Sequence, residues 1–168
     1  MVSINEVLTE ILPAVVVPNI GGILGALLIA KDIKTWYNKL KKPSWSPPNW
    51  IFGPAWTTLY ICMGISSWMI YKSGGGFGGK AGFPLVLYGT QLVLNWLWSP
   101  IFFKAHRPGV ALVEIIVLWL NVAACISSFH PINKTAAHLL LPYLAWLSLA
   151  TALNYSIWKN NPNASRIR

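Results

Sequence analysis

The feature that most constrains this chain is a series of five apolar segments, each about as long as a membrane-spanning helix. A membrane helix needs about 20 mostly apolar residues, because each residue rises roughly 1.5 Å and the hydrocarbon layer is about 30 Å thick. An open strand would leave backbone groups unpaired in lipid. The segments therefore predict an all-α integral membrane bundle of five transmembrane helices. They run from Ile11 to Ala30, Trp50 to Tyr71, Ala81 to Phe103, Pro108 to Phe129 and Thr135 to Trp158.

We expect the helices at about residues 8–30, 49–71, 81–103, 108–129 and 135–158, in one transmembrane domain over residues 1–168. Five crossings place the two chain ends on opposite sides. Alternation then assigns ten basic residues to one side and only Lys72, Lys80 and Lys134 to the other. By the positive-inside rule the first loop, the third loop and the C-terminus are cytosolic. The ten are Lys31, Lys34, Lys39, Lys41, Lys42, Lys104, Arg107, Lys159, Arg166 and Arg168.

Composition excludes several other classes of protein. The chain is 55% hydrophobic and 10% charged, whereas soluble domains have about 25% charged residues. The net charge of +9 comes from short links between apolar runs, which is typical of topology signals and lipid contacts rather than of nucleic acid binding. Cys62 and Cys125 lie in apolar runs without a partner at ligand spacing, so we expect reduced packing residues. We expect no metal, no cofactor and no conventional catalytic set.

The depth of three polar-tipped side chains points to a binding cavity. Measured from the predicted cytosolic edge, Trp56 lies roughly 9 Å deep, Asn95 about 12 Å and Trp146 about 18 Å. Buried amide and indole N–H groups need partners, so such a cluster indicates either mutual hydrogen bonding or a cavity with a ligand. Packing explains any one of these residues taken alone. Together they favour a cavity.

Other notable residues have ordinary explanations in a membrane helix bundle. Glu114 is the only acid within an apolar segment, and near the cytosolic edge it is expected to snorkel or to pair with a base such as Lys104 or Arg107. Leu153, Tyr155 and Lys159 follow the order proposed for cholesterol contact, but that pattern is common by chance, and taken alone it is better explained by an interfacial Tyr and a snorkelling Lys. Four tryptophans near the predicted boundary fit the interfacial aromatic belt. They are Trp36, Trp45, Trp50 and Trp158.

Four sequence blocks together resemble the translocator protein family, also called tryptophan-rich sensory proteins or peripheral-type benzodiazepine receptors. They occur in the family's order across nearly the whole chain. The blocks are WY at 36–37, KKPSWSPPNWIFGPAWTTLY at 41–60, LYGTQLVLNWLWSPIFF at 87–103 and PYLAWLSLATALNYSIW at 142–158.

The resemblance implies a five-helix receptor or carrier with a pocket opening toward the cytosol. Its ligands would be cholesterol, porphyrins such as protoporphyrin IX, and isoquinoline or benzodiazepine drugs, and its role would be sterol or tetrapyrrole transport or sensing. Sterol contact would involve Leu153, Tyr155 and Lys159. The pocket residues implied for drugs and porphyrins are Ala26, Ile29, Trp56, Asn95, Trp98, Trp146, Ala150 and Leu153.

The chain departs from the family pattern at a few positions. Val110 stands where mammalian members have Trp, so ligand selectivity is expected to differ. Some members form homodimers through glycines on the third helix, where this chain has Val86 and Thr90, which argues against a homodimer by that route. Asp32 replaces a Glu of the first loop and keeps its charge.

The resemblance leaves two functions and two membranes open. The leading hypothesis is a non-enzymatic receptor or carrier, and the alternative is light-dependent porphyrin breakdown using Trp56 and Trp146 as redox-active indoles. A transport pore lacks the intramembrane charges expected of an ion path. The animal members favour the mitochondrial outer membrane, whereas a bacterial membrane would suit the same helices.

Overall fold

The computed structural model describes residues 3–166, and within that range the chain forms five long helices and no strand. The all-α, five-helix architecture predicted from the apolar segments is confirmed. Helix α1 spans Ile4–Thr35, α2 spans Asn49–Ser73, and α3 spans Gly82–Ser99 and continues as a π-helical turn, Pro100–Lys104. Helix α4 spans Pro108–Phe129, and α5 spans Lys134–Asn160.

Capping side chains and a proline mark the beginnings of the helices. The Ser3 hydroxyl accepts a hydrogen bond from the Glu6 amide at the start of α1 (3.1 Å). The Asn133 side chain accepts one from the Ala136 amide at the start of α5 (3.0 Å). Both bonds satisfy amides that have no partner within the helix. Pro108 begins α4, at a position where a missing N–H removes no helical hydrogen bond.

Helix α5 consists of two segments, Lys134–Leu139 and Leu141–Asn160, which meet at Leu140. Pro142 accounts for the break, because proline has no N–H to donate and its ring clashes with the carbonyl four residues earlier. The first segment packs against α2, and the second packs against α4. The two parts of α5 therefore have different main neighbours.

The five helices close into a ring. Helix α1 packs against α2, α2 against the first segment of α5, α5 against α4, α4 against α3, and α3 with its π turn against α1. The buried side chains form two apolar clusters. Met63, Val122 and Phe129 belong to the larger cluster, and Phe102 and Ile157 belong to the smaller one. An interior cavity lies between the two clusters, since members of both line it.

Ion pairs between segments show which loops share an end of the bundle. Lys104, at the end of α3, pairs with Asp32 of α1 (2.8 Å), which brings the first and third loops together. At the opposite end Lys72 of α2 pairs with Glu10 near the N-terminus (3.0 Å). The end that holds the first loop, the third loop and the residues after α5 is the basic end, as alternation of the helices predicts. Arg168, one of the basic residues assigned to it, lies outside the described residues.

Three helical runs among residues 3–166 are long and apolar enough to cross a membrane by length and composition: α1, α4 and α5. Helices α2 and α3 are as long as a span but less apolar. Four of their polar residues, Ser66, Ser67, Gln91 and Asn95, are buried. Part of the lower hydropathy of these two helices therefore comes from side chains in the interior of the bundle.

The structure contradicts the expected environment of Glu114. Lys104 pairs with Asp32 instead, and both Glu114 carboxylate oxygens are buried without a hydrogen-bond partner among the described residues. Neither snorkelling nor pairing at the edge describes this side chain, because the turn of α4 directs it inward. Within residues 3–166 the two cysteines are free, Cys62 half-buried and Cys125 buried.

Close contact between α1 and α2 at Gly64 yields a stability prediction. A Cβ at Gly64 would lie 2.5 Å from Val15 Cα and 2.6 Å from the Ala14 carbonyl oxygen. Since backbone atoms cannot move aside cheaply, Gly64→Ala should lower the free energy of unfolding in mixed micelles by about 1–3 kcal/mol. Gly89→Ala is the control, because a Cβ there meets nothing within 4 Å. Equal stability of the two variants would contradict the close packing.

Candidate functional site: an interior cavity

All five helices contribute to a cavity of about 350 Å³ in the half of the bundle nearer the basic end. Side chains of α1 and α2 form one side of it, and side chains of α3, α4 and α5 form the other. Tyr37 of the first loop lines its basic end. The principal lining residues are Asn19, Ala26, Ile29, Phe52, Trp56, Tyr60, Asn95, Trp98, Phe102, Leu118, Trp146, Ala150, Leu153 and Asn154.

The predicted pocket residues converge on this cavity. The eight assigned to drug and porphyrin binding come from four different helices, and every one of them lines it. Of the three assigned to sterol contact, Leu153 lines the cavity, whereas Tyr155 and Lys159 are exposed on the outside of α5. The structure therefore separates the two groups. A ligand role for any of these residues stays a prediction.

Asn95 is hydrogen-bonded by two tyrosines that sequence reasoning did not single out. Its Oδ1 accepts from the Tyr60 hydroxyl (2.7 Å), and its Nδ2 donates to the Tyr143 hydroxyl (3.0 Å). Helical spacing could have found both, since Tyr60 lies one turn from Trp56 and Tyr143 lies three residues before Trp146. Mutual hydrogen bonding and a cavity were the two alternatives for this layer. The structure has a cavity at this layer, and Asn95 bonds to two tyrosines rather than to Trp56 or Trp146.

Aromatic rings form the wall between α2 and α5. The Trp56 ring is stacked on Tyr60 (centroids 5.5 Å apart) and meets the edge of Trp146 (6.4 Å). Phe52 also meets Trp146 edge-on (5.7 Å). Edge-to-face and offset-stacked geometries are favourable for aromatic pairs. This wall is accordingly held by its own ring contacts, with Tyr143 packed behind Trp56 (6.1 Å).

A second polar link connects α3, α4 and α5 nearer the basic end. The Trp98 indole donates to the Asn154 side-chain oxygen (3.1 Å), and the Asn154 amide donates to the Pro108 carbonyl (2.7 Å). The Pro108 carbonyl lies at the first turn of α4. Trp98 is also stacked on Phe102 (centroids 4.9 Å apart). Asn154 was missed from sequence, although it directly follows Leu153 on α5.

Trp96 and Trp98 point to different faces of α3, as their spacing predicts. Trp98 lines the cavity. The Trp96 ring lies so close to Gly21 of α1 that a Cβ on Gly21 would overlap it. Trp96 therefore packs between two helices rather than in lipid, and the small residue at position 21 leaves room for its indole.

The polar groups left for a ligand are few and uncharged. The lining residues include no Asp, Glu, Lys, Arg or His. The Trp146 indole nitrogen is buried and has no partner among the described residues. Residues 3–166 also hold no group of three side chains that could bind a metal ion. The cavity therefore suits an uncharged, largely apolar molecule.

The first loop, residues 36–48, covers the basic end of the cavity through Tyr37. Trp36 is only 2% exposed, so the interpretation of this residue as part of an interfacial belt is wrong. Its ring is stacked on His106 (centroids 4.3 Å apart). The other three tryptophans of that group, Trp45, Trp50 and Trp158, are 50%, 73% and 46% exposed, as the belt interpretation expects.

Burial within the first loop changes the acidity of two side chains. It raises the pKa of the Tyr37 hydroxyl, and a hydrogen bond with Ser46 opposes part of that rise. Burial also lowers the pKa of Lys42, whose ammonium lies 4.4 Å above the Tyr37 ring. The Tyr37 hydroxyl thus stays neutral at physiological pH.

The residues at which the chain departs from the family pattern lie outside the cavity. Val110 is 50% exposed on the outer side of α4, and Val86 is 62% exposed on α3 together with the exposed Thr90. Asp32 pairs with Lys104 (2.8 Å) beneath the first loop. Among these four residues only Asp32 therefore lies next to the segment that closes the cavity.

Fold and site together define a class: an α-helical integral membrane protein with an uncharged, aromatic-walled cavity inside a five-helix ring. The model of the TspO/MBR family matches residues 14–159. The chain accordingly belongs to the TspO/MBR family.

Relatives of this chain occur in both animals and bacteria. It is 45% identical to the translocator protein of Homo sapiens over 86% of this chain and 85% of that protein. The translocator protein of Sus scrofa is 46% identical over 89% of this chain and 90% of the relative. The tryptophan-rich protein TspO of Chlorobaculum tepidum is 38% identical over 84% of this chain and 89% of its own length. The resemblance read from the sequence is therefore confirmed.

The double hydrogen bond at Asn95 yields a second prediction. Asn95→Leu keeps a side chain of similar size but leaves the hydroxyls of Tyr60 and Tyr143 without this partner. The free energy of unfolding in mixed micelles should fall by about 1–2 kcal/mol. Tyr60→Phe, which removes only one of the two bonds and leaves one acceptor unpaired, should cost less. An Asn95→Leu variant as stable as the wild type would show that these bonds do not support the bundle.

Proposed function

We propose that this protein is a membrane receptor or carrier that binds cholesterol, porphyrins such as protoporphyrin IX, and isoquinoline or benzodiazepine drugs in its interior cavity. The observation that supports it most is the cavity itself, which is enclosed by all five helices and lined without a charged side chain. Such a cavity gains binding free energy mainly from apolar burial, about 25 cal/mol per Å². A protein that binds these ligands would contribute to the transport or the sensing of sterols or tetrapyrroles.

Individual lining residues have separate proposed roles. Trp56 and Trp146 supply flat aromatic surfaces for a ring system. Asn95 is already bonded to two tyrosines, so we assign it to positioning Tyr60 and Tyr143 as well as to contacting the ligand. Tyr155 and Lys159 would contact a sterol only from outside the bundle, on the lipid-facing side of α5.

A substitution that fills the cavity tests this proposal. Ala150 lines the cavity, whereas Ala152 lies two residues further on α5 and is exposed. Because a phenyl ring at position 150 occupies ligand volume, Ala150→Phe should weaken protoporphyrin IX binding about tenfold or more, whereas Ala152→Phe should stay within about twofold. Quenching of tryptophan emission during titration measures both. Equal affinities in the two variants, or no saturable quenching in the wild type, would contradict the proposed site.

Porphyrin breakdown is the second candidate function, because two indoles are in contact in the cavity wall. The rings of Trp56 and Trp146 meet edge-on in the cavity wall, with centroids 6.4 Å apart. Illumination of the porphyrin complex in air, followed by mass spectrometry, separates the candidates. A product that forms only when both indoles are present would favour breakdown, and recovery of intact porphyrin favours binding alone.

We further propose that the basic end faces the cytosol and that the membrane is the mitochondrial outer membrane. Ten basic residues against three support the orientation, and the identity to animal relatives supports the membrane. Trypsin added outside intact mitochondria should therefore cut the first loop but not the link between α2 and α3. Cleavage of that link alone would show that the protein has the opposite orientation in the membrane. A bacterial cytoplasmic membrane is the alternative, and a homodimer remains open.

A further inference from the structure

The residues that follow α5 fold back over the first loop from outside the cavity. Asn161 is 8% exposed and Ala164 is 2% exposed, although both lie beyond the last transmembrane helix. Ala164 belongs to the same apolar cluster as Trp36, Tyr37 and Leu40 of the first loop. This C-terminal segment, residues 161–164, therefore packs on the loop that closes the cavity.

Three hydrogen bonds join the C-terminal segment to the first loop. The Asn161 Oδ1 accepts from the Lys41 backbone N–H (2.9 Å), and the Asn161 Nδ2 donates to the Lys41 carbonyl (3.0 Å). One side-chain amide thus pairs with both backbone groups of a single loop residue. The third bond runs from the Trp36 indole N–H to the Ala164 carbonyl (2.9 Å).

Asn161 is itself anchored to the end of α5. Its Nδ2 also donates to the Ile157 carbonyl (2.8 Å), in the last turn of the helix. Through this residue the loop is tied to the helix that supplies Trp146, Ala150 and Leu153 to the cavity. A further polar bond, from Lys42 Nζ to the Tyr37 carbonyl (2.9 Å), is internal to the loop.

We propose that Asn161 is a positioning residue for the cavity: it fixes the first loop as the wall at the basic end and thereby controls how fast a bound ligand leaves. The proposal rests on the proposed ligand-binding function. Lifting the loop away from the cavity breaks the two Asn161–Lys41 bonds and the Trp36–Ala164 bond, and it exposes a buried indole. A variant that lacks one of these bonds has fewer interactions to break when the loop opens. Its free-energy barrier to opening is therefore lower.

A pair of neighbouring asparagines provides the matched experiment. Asn161→Ala removes both bonds to Lys41, whereas Asn160→Ala alters an exposed side chain that donates only to Ser156 of its own helix (3.3 Å). Protein loaded with protoporphyrin IX is diluted, and release is followed by recovery of tryptophan emission. Release should be roughly tenfold faster in Asn161→Ala and within about twofold of the wild type in Asn160→Ala. Equal release rates in both variants would overturn the proposal.

Limited trypsin digestion measures loop opening directly. Trypsin can cut after Lys39 and Lys41 in the first loop, and cleavage after Lys104 in the third loop is the reference within the same molecule. In Asn161→Ala the ratio of first-loop to third-loop cleavage should rise by a factor similar to that in release, and added protoporphyrin IX should lower it. General destabilisation would raise both cleavages together. An unchanged ratio would overturn the proposal.

A second variant covers the case in which Asn161→Ala does not fold. Trp36→Phe keeps a ring at the position stacked on His106 but removes the N–H that bonds Ala164. Release should then be about threefold faster, as expected for one bond rather than two. Wild-type protein that fails to quench at all would refute the proposed function. Wild-type binding with normal release in both variants would refute only the role of Asn161.

Discussion

Two hydrogen bonds at Asn95 join three helices at a depth where no bulk water can replace them. Tyr60 of α2 donates to Asn95 of α3, which in turn donates to Tyr143 of α5. In lipid, helices gain little from apolar contact with one another, since lipid tails are as apolar as leucine. Polar side chains turned inward therefore provide much of the specificity of the bundle. The other buried polar residues of α2 and α3 are Ser66, Ser67 and Gln91.

The chemical character of the cavity depends on the hydrogen bonds that its polar side chains already make. Because Asn95 is paired with two tyrosines and Asn154 with Trp98 and Pro108, much of the hydrogen-bonding capacity of the lining is already used. Such a lining favours binding of a flat, uncharged molecule through burial, with one or two polar contacts to fix its orientation. Nothing in the lining resembles a general acid, a base or a nucleophile with its activating partner.

The two ends of the bundle differ in construction. At the end near the N-terminus, Lys72 is paired with Glu6 and Glu10 at 3.0 Å each, and all three side chains are partly exposed. At the basic end Trp36, Tyr37 and Leu40 of the first loop are buried, and Asn161, from the opposite end of the sequence, bonds to the loop. The basic end thus combines an ion pair with a partly buried loop that contributes to the cavity, whereas the other end is joined by exposed ion pairs.

The sequence alone determined the number of helices, their approximate bounds and the distribution of basic residues between the two ends. These properties depend on the composition of about 20 consecutive residues, which is a local quantity. Helical depth also placed Trp56, Asn95 and Trp146 in neighbouring layers. The family resemblance supplied the remaining predicted pocket positions, such as Ala26 and Ala150.

Only the tertiary structure decided which side chains meet. The partners of Asn95, the buried position of Trp36 and the unpaired carboxylate of Glu114 depend on the rotation and tilt of each helix. Those angles are set by packing against several neighbours at once, as at Gly64 and Gly21. The bond between Lys41 and Asn161 spans 120 positions of the chain. No local pattern encodes it, because the two residues become neighbours only when the ring of helices has closed.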